Sequence, residues 1–407
     1  MTAQLTTVDA AAQRAKASGD DVVAFVQDLV RLRTHDADGY AAAADAVERR
    51  MAELGFDVDR HDVPGPDGTL VPTVLGWLGQ RLREPSVVLN AHLDTSPSGD
   101  GWSVAPFAGE RRGDVVYGRG VVIAKSDIGA YIYAAVAARA AAPDASPTVL
   151  VAITCDEGSG GALGPGYLLE ELEIRPKRAM TTGFTPIVGV SHNGAVQAIV
   201  TVRGVASHQA GTIPECDAMQ HAVRIAYAIG KRDAALHEEK CSVIGIHSPT
   251  FNVTRFSAGV SFGMGTGIAQ LLIDRRVTPD EALDDAVQEV RNVVDSVPHG
   301  DGISVEFDLI PPVEPMRPFP EQEPWAALVR SEAGVVLGHE VPAGGIPIYT
   351  DARIFALAGI PTVLFGAGQP DLVAAGINGV DENLKVEDIV ATTEIVARVV
   401  ARLLTEE

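Results

Sequence analysis

The chain has 407 residues, which is enough for two domains with well-buried cores. Its formal net charge of -22 argues against polyanionic partners such as nucleic acid, because no basic cluster could neutralise phosphates. Three cysteines, an odd number without framework spacing, indicate a reduced and therefore cytoplasmic protein. The start lacks a charged leader before an apolar core and no run is long enough to cross a bilayer, so we expect no membrane partner.

In the first half of the chain, apolar residues at helical spacing alternate with short apolar runs that are typical of buried strands. The predicted helices span residues 21–32, 40–54 and 127–141. The predicted strands span residues 56–63, 71–78, 87–89 and 148–154. This alternation predicts an α/β fold with a parallel or mixed sheet that is flanked by helices.

The pattern changes near Asn193, where strands with one buried face begin. The second set of predicted strands spans 194–202, 251–256, 267–274 and 304–309, and its helices span 217–231 and 280–297. After a proline-rich segment come a helix at 325–337, a strand at 361–365, a loop at 366–383 and a helix at 386–404. We therefore expect a discontinuous domain of residues 1–193 and 311–407, interrupted by an α+β domain of residues 194–310.

The predicted strand at 87–89 is followed at once by His92 and Asp94, which stand two residues apart. Open α/β sheets place chemistry on loops beyond the carboxyl ends of their strands. A histidine with a neighbouring carboxylate suits a metal ligand whose ring is oriented by that carboxylate, or a group that transfers protons. The sequence therefore indicates a functional site at this strand end.

A series of motifs carries a family resemblance over nearly the whole chain from about Val22. In order, the motifs are AHLDTSP, YGRG, CDEGSGGALG, VRGVASHQAG, DRR, TDAR and NGVDEN. The chain resembles the co-catalytic zinc hydrolases that include aminoacylases, acetylornithine deacetylases, succinyl-diaminopimelate desuccinylases and carboxypeptidases. The resemblance implies a zinc-peptidase-like catalytic domain made of both chain ends and an inserted lid domain that commonly mediates dimerisation. We therefore expect a homodimer.

The family's metal ligands can be compared with this chain position by position. His92 matches the first histidine ligand, and Asp94 matches the aspartate that orients it. The other four ligand positions carry Ile123, Gly158, the stretch 181–184 and Asn378. Because one histidine cannot hold zinc alone, we predict that the dinuclear centre is absent and that no metal cofactor is needed. The open alternative is a relocated zinc bound by His92 with Asp127 or His192.

Other residues at family positions retain polar side chains. Glu157 matches the general base, and His208 matches the lid histidine that reaches a partner's active site to stabilise an oxyanion. Arg275 and Arg276 match the lid arginine position, which suits a substrate carboxylate. The predicted substrate-binding residues are therefore Arg275, Arg276, Asn378, Gly345, Thr350 and Asp351, and the predicted catalytic residues are Glu157, His92, Asp94 and His208.

Three hypotheses follow for the function. The first is an enzyme that acts by acid–base chemistry, without metal, on a small carboxylate-bearing amino-acid derivative or an N-acyl or amide compound. Such a site suits isomerisation, elimination, cyclisation or acyl transfer, because unactivated amides resist attack without a Lewis acid. The second is a metal-dependent amidohydrolase or exopeptidase with relocated ligands. The third is a homologue that binds a metabolite without catalysis, in which His92 and Asp94 form only a structural pair and Glu157 caps a turn.

Overall fold

The structure is a computed structural model, and it describes residues 6–184, 187–211, 214–368, 371 and 373–406. The chain divides into two compact units. The first comprises Met1–Val190, Pro318–Ala343 and Thr350–Glu407, and the second comprises Ser191–Arg317 and Gly344–Tyr349. The short segment Gly344–Tyr349, which we placed with the chain ends, thus belongs to the second unit, where the Gly345 N–H donates to the carbonyl of Ile244 (2.6 Å).

The helices of the first unit cover the sheet that carries the candidate site. They are α1 (Thr7–Ala17), α2 (Gly19–Arg31), α3 (Ala37–Glu53), α4 (Ser126–Ala141), α5 (Tyr167–Glu170), α8 (Glu323–Leu337), α9 (Ala352–Leu357) and α10 (Val386–Glu406). The second unit contains α6 (Ala218–Leu236) and α7 (Leu283–Asp295).

A mixed sheet forms the centre of the first unit. Its strands are β1 (Asp57–Pro64), β2 (Leu70–Leu78), β3 (Val87–His92), β6 (Val149–Thr154), β7 (Ala179–Thr181), β8 (Val188–His192), β13 (Ala343–Ile346) and β14 (Thr362–Leu364). The last residues of β8, from Ser191, and those of β13, from Gly344, are counted with the second unit. They lie in the order β1-β2-β6-β3-β7-β14-β8-β13. The middle strands β6, β3, β7 and β14 run parallel, so their carboxyl ends meet at one edge. The predicted α/β class with a mixed sheet is confirmed.

The second unit is an α+β layer built on an antiparallel sheet. Its strands are β9 (Gly194–Arg203), β10 (Thr250–Ala258), β11 (Ile268–Val277) and β12 (Ser304–Leu309), in the order β10-β11-β9-β12. Inward-facing residues of these strands share one hydrophobic core with α6 and α7. The alternation of apolar and polar residues along β9 fits a sheet with one buried face.

Several elements of the first unit were not predicted from the sequence: α1, α5, α9, β7, β8, β13 and the three strands of a small sheet. Helix α1 was not predicted, because its buried face is mostly alanine and gives a weak apolar signal. A small sheet of short strands, β4 (Glu110–Arg112), β5 (Val115–Tyr117) and β15 (Asn383–Lys385), was missed for the same kind of reason, since three-residue strands carry little periodicity. Helix α1 packs on α4 and α10 and thereby ties the two chain ends together.

The helical segment Val121–Ala141 is long and apolar enough to cross a membrane by length and composition alone. However, 89% of its most apolar window is buried inside the structure. Its apolar character is therefore explained by its position as the central helix of the core, where its residues pack against α1, α2 and α10.

A buried ion pair holds the end of β5 against the start of β15. The Nη1 atom of Arg119 donates to Glu382 Oε2 (2.9 Å), and both residues are 1% exposed. Glu382 also accepts from the backbone N–H groups of Gly120 (3.1 Å) and Val122 (3.0 Å). Buried charges are stable only when they are paired and hydrogen-bonded in this way.

We expect Glu382→Ala to lower the free energy of unfolding by about 3–5 kcal/mol, because the substitution leaves the Arg119 guanidinium buried without its carboxylate. The matched control is Glu387→Ala, which removes an exposed ion pair with Lys385 and is expected to cost about 0–1 kcal/mol. Urea denaturation measures both. Equal losses in the two variants would contradict this account of the pair.

Candidate active site

The parallel strand ends bring together residues that are distant in the sequence. In the β3–β6 ladder His92 lies beside Thr154, and in the β14–β7 ladder Leu364 lies beside Thr181. The Leu93 N–H donates to the Thr154 carbonyl (2.7 Å), which extends the ladder one residue past β3. Because side chains two residues apart on an extended chain share a face, His92 and Asp94 project to the same side.

The Asp94 carboxylate connects the ends of β3 and β6. The Nδ1 atom of His92 donates to the Asp94 carbonyl (3.1 Å) and lies 3.3 Å from Asp94 Oδ1. The same carboxylate accepts from the backbone N–H of Glu157 at Oδ1 (3.3 Å) and from that of Gly158 at Oδ2 (2.9 Å). Both Asp94 oxygens are thus engaged, and the ring orientation leaves His92 Nε2 as the reactive nitrogen.

Glu157 joins the His92–Asp94 pair at the strand end. One donor atom from each of the three residues lies within 4.8 Å of the other two. Glu157 is only partly buried, whereas His92 is 6% and Asp94 is 8% exposed. The three residues that we predicted as the catalytic centre of the first unit therefore form one cluster with an accessible carboxylate at its border.

The cluster favours a charged histidine. Burial lowers the pKa of His92, but the hydrogen bond and charge of Asp94, followed by the charges of Glu157 and Asp351, outweigh burial and raise it to about 10. Burial raises the pKa of Asp94, and the contacts with His92 and the two backbone N–H groups overcome this effect and lower it. The pair is therefore an imidazolium held by a carboxylate.

Two further carboxyl groups lie beside this pair. Burial raises the pKa of Asp156 to about 6, while its Oδ2 accepts from the Leu163 N–H (2.5 Å). Burial, followed by the charges of Glu157 and Asp156, raises the pKa of Asp351 well above its usual range. Asp351 is 3% exposed. We expected Asp351 to form a wall of the site, and its electrostatic contact with His92 and Glu157 places it next to the cluster.

The residues at the family's ligand positions do not fit a dinuclear zinc centre. Ile123 offers only hydrocarbon, and Gly158 offers no side chain. At the end of β7, the buried side chains of Thr181 and Thr182 are hydroxyls rather than carboxylates. Asn378 lies exposed in a turn with φ 54°. Zinc sites in proteins use at least three strong ligands, which these side chains do not supply. Residues 185 and 186, which also follow β7, lie outside the described residues.

The proposed replacement ligands have other contacts. Asp127 Oδ1 accepts from the Ala367 N–H (2.7 Å) and Oδ2 from the Gly183 N–H (3.4 Å), and burial raises its pKa well above the usual range. This carboxyl therefore ties together the segments that follow β7 and β14. His192 belongs to the second unit, where its Nδ1 bonds to the Asn193 carbonyl (2.8 Å).

The prediction that Arg275 binds a substrate carboxylate is wrong. Arg275 is 1% exposed, its Nε donates to Glu289 (2.9 Å), and its other nitrogens bond to Glu281 and to the carbonyl of Arg276. These contacts engage all three guanidinium nitrogens inside the second unit. Arg276 is paired with Asp274 (2.7 Å) and stacks on Tyr349, but its side chain is 30% exposed. Arg276 thus retains some surface for a ligand.

The remaining predicted site residues have local roles. Thr350 caps α9, because its Oγ1 accepts from the Ala352 N–H (3.1 Å). Its contact with substrate stays a prediction. Gly345 packs against Ile246 within the second unit. His208 is exposed in that unit, and its Nδ1 accepts from the Ala210 N–H (3.2 Å). Its role toward a partner subunit stays a prediction.

Two polar residues near the site were missed by the sequence analysis. Lys125 is fully buried, donates to the Leu32 carbonyl (2.8 Å), and has its pKa lowered by burial to about 7. Tyr40 is half-buried at the start of α3; burial, followed by the charge of Asp94, raises its pKa to about 12. A lysine just before an almost wholly apolar helix was the available signal for the first. Tyr40 stands in an ordinary helical pattern, which gave no signal of a functional role.

We predict that Asp94→Asn lowers the pKa of His92 from about 10 to about 6.5 or below, because burial then opposes the charged ring without its partner. In the wild-type protein the folded pKa exceeds the unfolded one. Ionisation of His92 therefore stabilises the fold fully below about pH 6.5, and this contribution is lost as the pH rises through about 10.

Long-range nitrogen–proton NMR of the imidazole ring measures this titration. The matched control is Asp114→Asn, which removes an exposed carboxylate in a turn and should leave the pKa of His92 unchanged. A wild-type His92 that titrates near its ordinary value would contradict the charged pair.

Comparison with known proteins shows the ancestry of the chain. Residues 88–402 match the model of peptidase family M20/M25/M40. The chain is 24% identical over 403 residues to a succinyl-diaminopimelate desuccinylase of Thioalkalivibrio sulfidiphilus, covering 95% of this chain and 100% of that protein. A protein of the same name from Gluconobacter oxydans is 30% identical over 202 residues, covering 47% of this chain and 51% of the relative.

Solved structures share the fold at low sequence identity. Human carnosine dipeptidase 1 superposes with a TM-score of 0.79 at 14% identity, over 98% of this chain and 99% of the other. The dipeptidase Dug1p from Saccharomyces cerevisiae gives a TM-score of 0.80 at 13% identity, with the same coverage. An M20 family metallo-carboxypeptidase from Sulfolobus solfataricus gives 0.72 at 14% identity, over 95% and 99% of the two chains. Because the family model covers most of its length, the chain belongs to peptidase family M20/M25/M40.

Proposed function

We propose that this chain is an enzyme that acts on a small amino-acid derivative by proton transfer at Glu157 and the His92–Asp94 pair, without the family's dinuclear zinc centre. The observation that carries the proposal is the cluster itself. His92, Asp94 and Glu157 lie together at the parallel strand ends, and Ile123 and Gly158 stand where the family resemblance aligns two carboxylate ligands. The family membership and its peptidase and desuccinylase relatives support an enzyme.

Each residue of the cluster has a part in this chemistry. The Glu157 carboxylate is the base that removes a proton from the substrate, since it is the more accessible carboxylate of the three residues. His92 presents Nε2 with a positive charge, which stabilises negative charge that develops on a substrate oxygen. Asp94 fixes the ring by accepting from Nδ1 and by binding the backbone of Glu157. It is a positioning residue.

The reaction classes that suit such a site are isomerisation, elimination, cyclisation and acyl transfer. Each needs a proton to be moved between positioned groups and an oxyanion to be stabilised. Direct hydrolysis of an unactivated amide fits less well, because it also requires an activated water. A carboxylate on the substrate also remains a prediction. The lid role and homodimerisation of the second unit and a cytoplasmic location also remain predictions.

A metal-dependent hydrolase is the second candidate function. The observation that favours it is that His92, Asp94 and Glu157 offer three donor atoms within 4.8 Å. Against it stands the engagement of both Asp94 oxygens by backbone N–H groups, which leaves His92 Nε2 and Glu157 as the stronger donors. Catalytic zinc sites normally keep three protein ligands, so the metal-independent proposal is preferred.

The test uses proton NMR in D₂O on a panel of N-acetyl amino acids and dipeptides, and it follows both product formation and deuterium incorporation at Cα. We expect Glu157→Gln to reduce the active reaction by about 10²–10⁴, the contribution of a positioned general base, with substrate binding retained. The matched control is Glu170→Gln, since Glu170 is exposed on α5.

Wild-type rates in Glu157→Gln would contradict the assigned base. Full loss in both glutamate variants would indicate a general loss of folded protein, which a thermal melt detects. A panel on which the wild-type protein produces neither turnover nor exchange would favour a binding protein over an enzyme.

A further inference from the structure

We infer that Asp351 binds a free ammonium group of the substrate beside Glu157, so that the substrate class is an amino compound with an unblocked amine. This inference rests on the proposed function, because it takes the His92–Asp94–Glu157 cluster as the place where substrate binds. It extends that function by naming the substrate group and the residue that recognises it.

The Asp351 carboxylate is buried without a donor. The residue is 3% exposed, and neither Oδ1 nor Oδ2 has a hydrogen-bond partner among the residues that the structure describes. A buried acceptor left in this state costs about 1–3 kcal/mol, and more if it is charged. Buried polar groups without hydrogen-bond partners are rare in native structures, and a ligand that supplies donors would explain this one.

The Asp351 side chain also makes no hydrogen bond to its own helix, α9. It stands at the N-cap position of α9 but makes no side-chain capping bond, and Thr350 accepts from the helix N–H of Ala352 instead (3.1 Å). Aspartate is among the preferred N-cap residues, so a neighbour that replaces it in this role leaves the carboxylate available for another purpose.

The carboxylate is directed toward the turn that follows Glu157. A Cβ atom at Gly161 would stand 2.4 Å from Asp351 Oδ1, so a glycine is needed at that position, where φ is 71°. Arg353 braces the turn, since its Nη2 donates to the Gly160 carbonyl (2.6 Å) and its Nη1 to the Thr350 carbonyl (3.0 Å). Because these bonds go to backbone oxygens, the nearest guanidinium does not pair with Asp351.

The charges around Asp351 favour a cation. Glu157 and Asp156 act on it with negative charge, while His92 and Arg353 act with positive charge. Asp94 adds a further carboxylate to the same cluster. An ammonium group brings three N–H donors and a positive charge, and it can therefore satisfy both oxygens of the buried Asp351 carboxylate.

A metal ion is a poorer occupant for this carboxylate. Among the described residues, the group with three donor atoms close enough to share an ion is His92, Asp94 and Glu157, and Asp351 is not part of it. Hard cations take six or more oxygen ligands, or keep several waters and demand strict geometry. An amine needs only one or two acceptors, which the two oxygens of Asp351 offer.

The experiment compares matched ligands that differ only in the amine. The pairs are L-alanyl-L-alanine with its N-acetyl form, and Nα-acetyl-L-lysine with Nα,Nε-diacetyl-L-lysine, measured on the full chain by isothermal titration calorimetry. We expect the ammonium-bearing member of at least one pair to bind about tenfold to a hundredfold more tightly, the ratio that a charge-assisted hydrogen bond supplies.

Asp351→Asn should reduce this ratio to about one, with the affinity of the acetylated member unchanged. Asp388→Asn is the matched control, because Asp388 is a partly buried carboxylate in the first turn of α10, and it should keep the wild-type ratio. Asp351→Ser serves as a second variant if the asparagine variant does not fold, as judged by its thermal melt.

Three results would overturn the inference: no binding by any ammonium-bearing probe, a wild-type ratio of one or less in both pairs, or a ratio that survives in the folded Asp351 variants. The wild-type ratio tests the inference even if both variants fail to fold. Failure of the proposed function is seen separately, as full turnover in Glu157→Gln. A preference for the ammonium-bearing ligand together with full turnover in Glu157→Gln would contradict only the proposed function. Loss of turnover in Glu157→Gln without an ammonium preference would contradict only the inference about Asp351.

Discussion

The carboxylate of Asp94 holds the ends of two neighbouring parallel strands together, and the candidate site depends on this interaction. It orients His92 at the end of β3 and accepts the backbone N–H groups that follow β6. Glu157 stands beside the imidazole because its own backbone is bound to the carboxylate that orients the ring. One side chain therefore fixes the position of two others. Because His92 and Asp94 are buried, the attraction between their charges is stronger than it would be in water.

The proposal of a site without the dinuclear centre assigns the charge balance at this sheet edge to the chain's own residues. Here His92 supplies positive charge, and Arg353 directs its donors to backbone carbonyls. Asp351 thus remains buried without a donor among the described residues. The site combines a charged imidazole, a partly exposed glutamate and further acidic groups, and this combination is the basis of the proposed proton transfer on an amino compound.

Much of the fold and the central part of the site could be predicted from the sequence. His92 and Asp94 follow an apolar run of parallel-sheet type, so a local pattern sufficed for them. Glu157 was identified through the family resemblance. Arg275 could not be judged in this way, because its partners Glu281 and Glu289 come from the next loop and α7. The contact between Asp127 and Ala367 spans 240 residues. Whether a polar side chain is free for a ligand depends on such tertiary contacts, which periodicity does not report.

The central claim is that this site works without the dinuclear zinc centre. The most direct measurement is metal content by plasma emission on protein purified without chelators or a histidine tag, combined with activity before and after dialysis against a strong chelator. The account predicts metal far below stoichiometric amounts and activity that survives the chelator. Near-stoichiometric zinc, with activity that is lost on chelation and restored by added zinc, would contradict it.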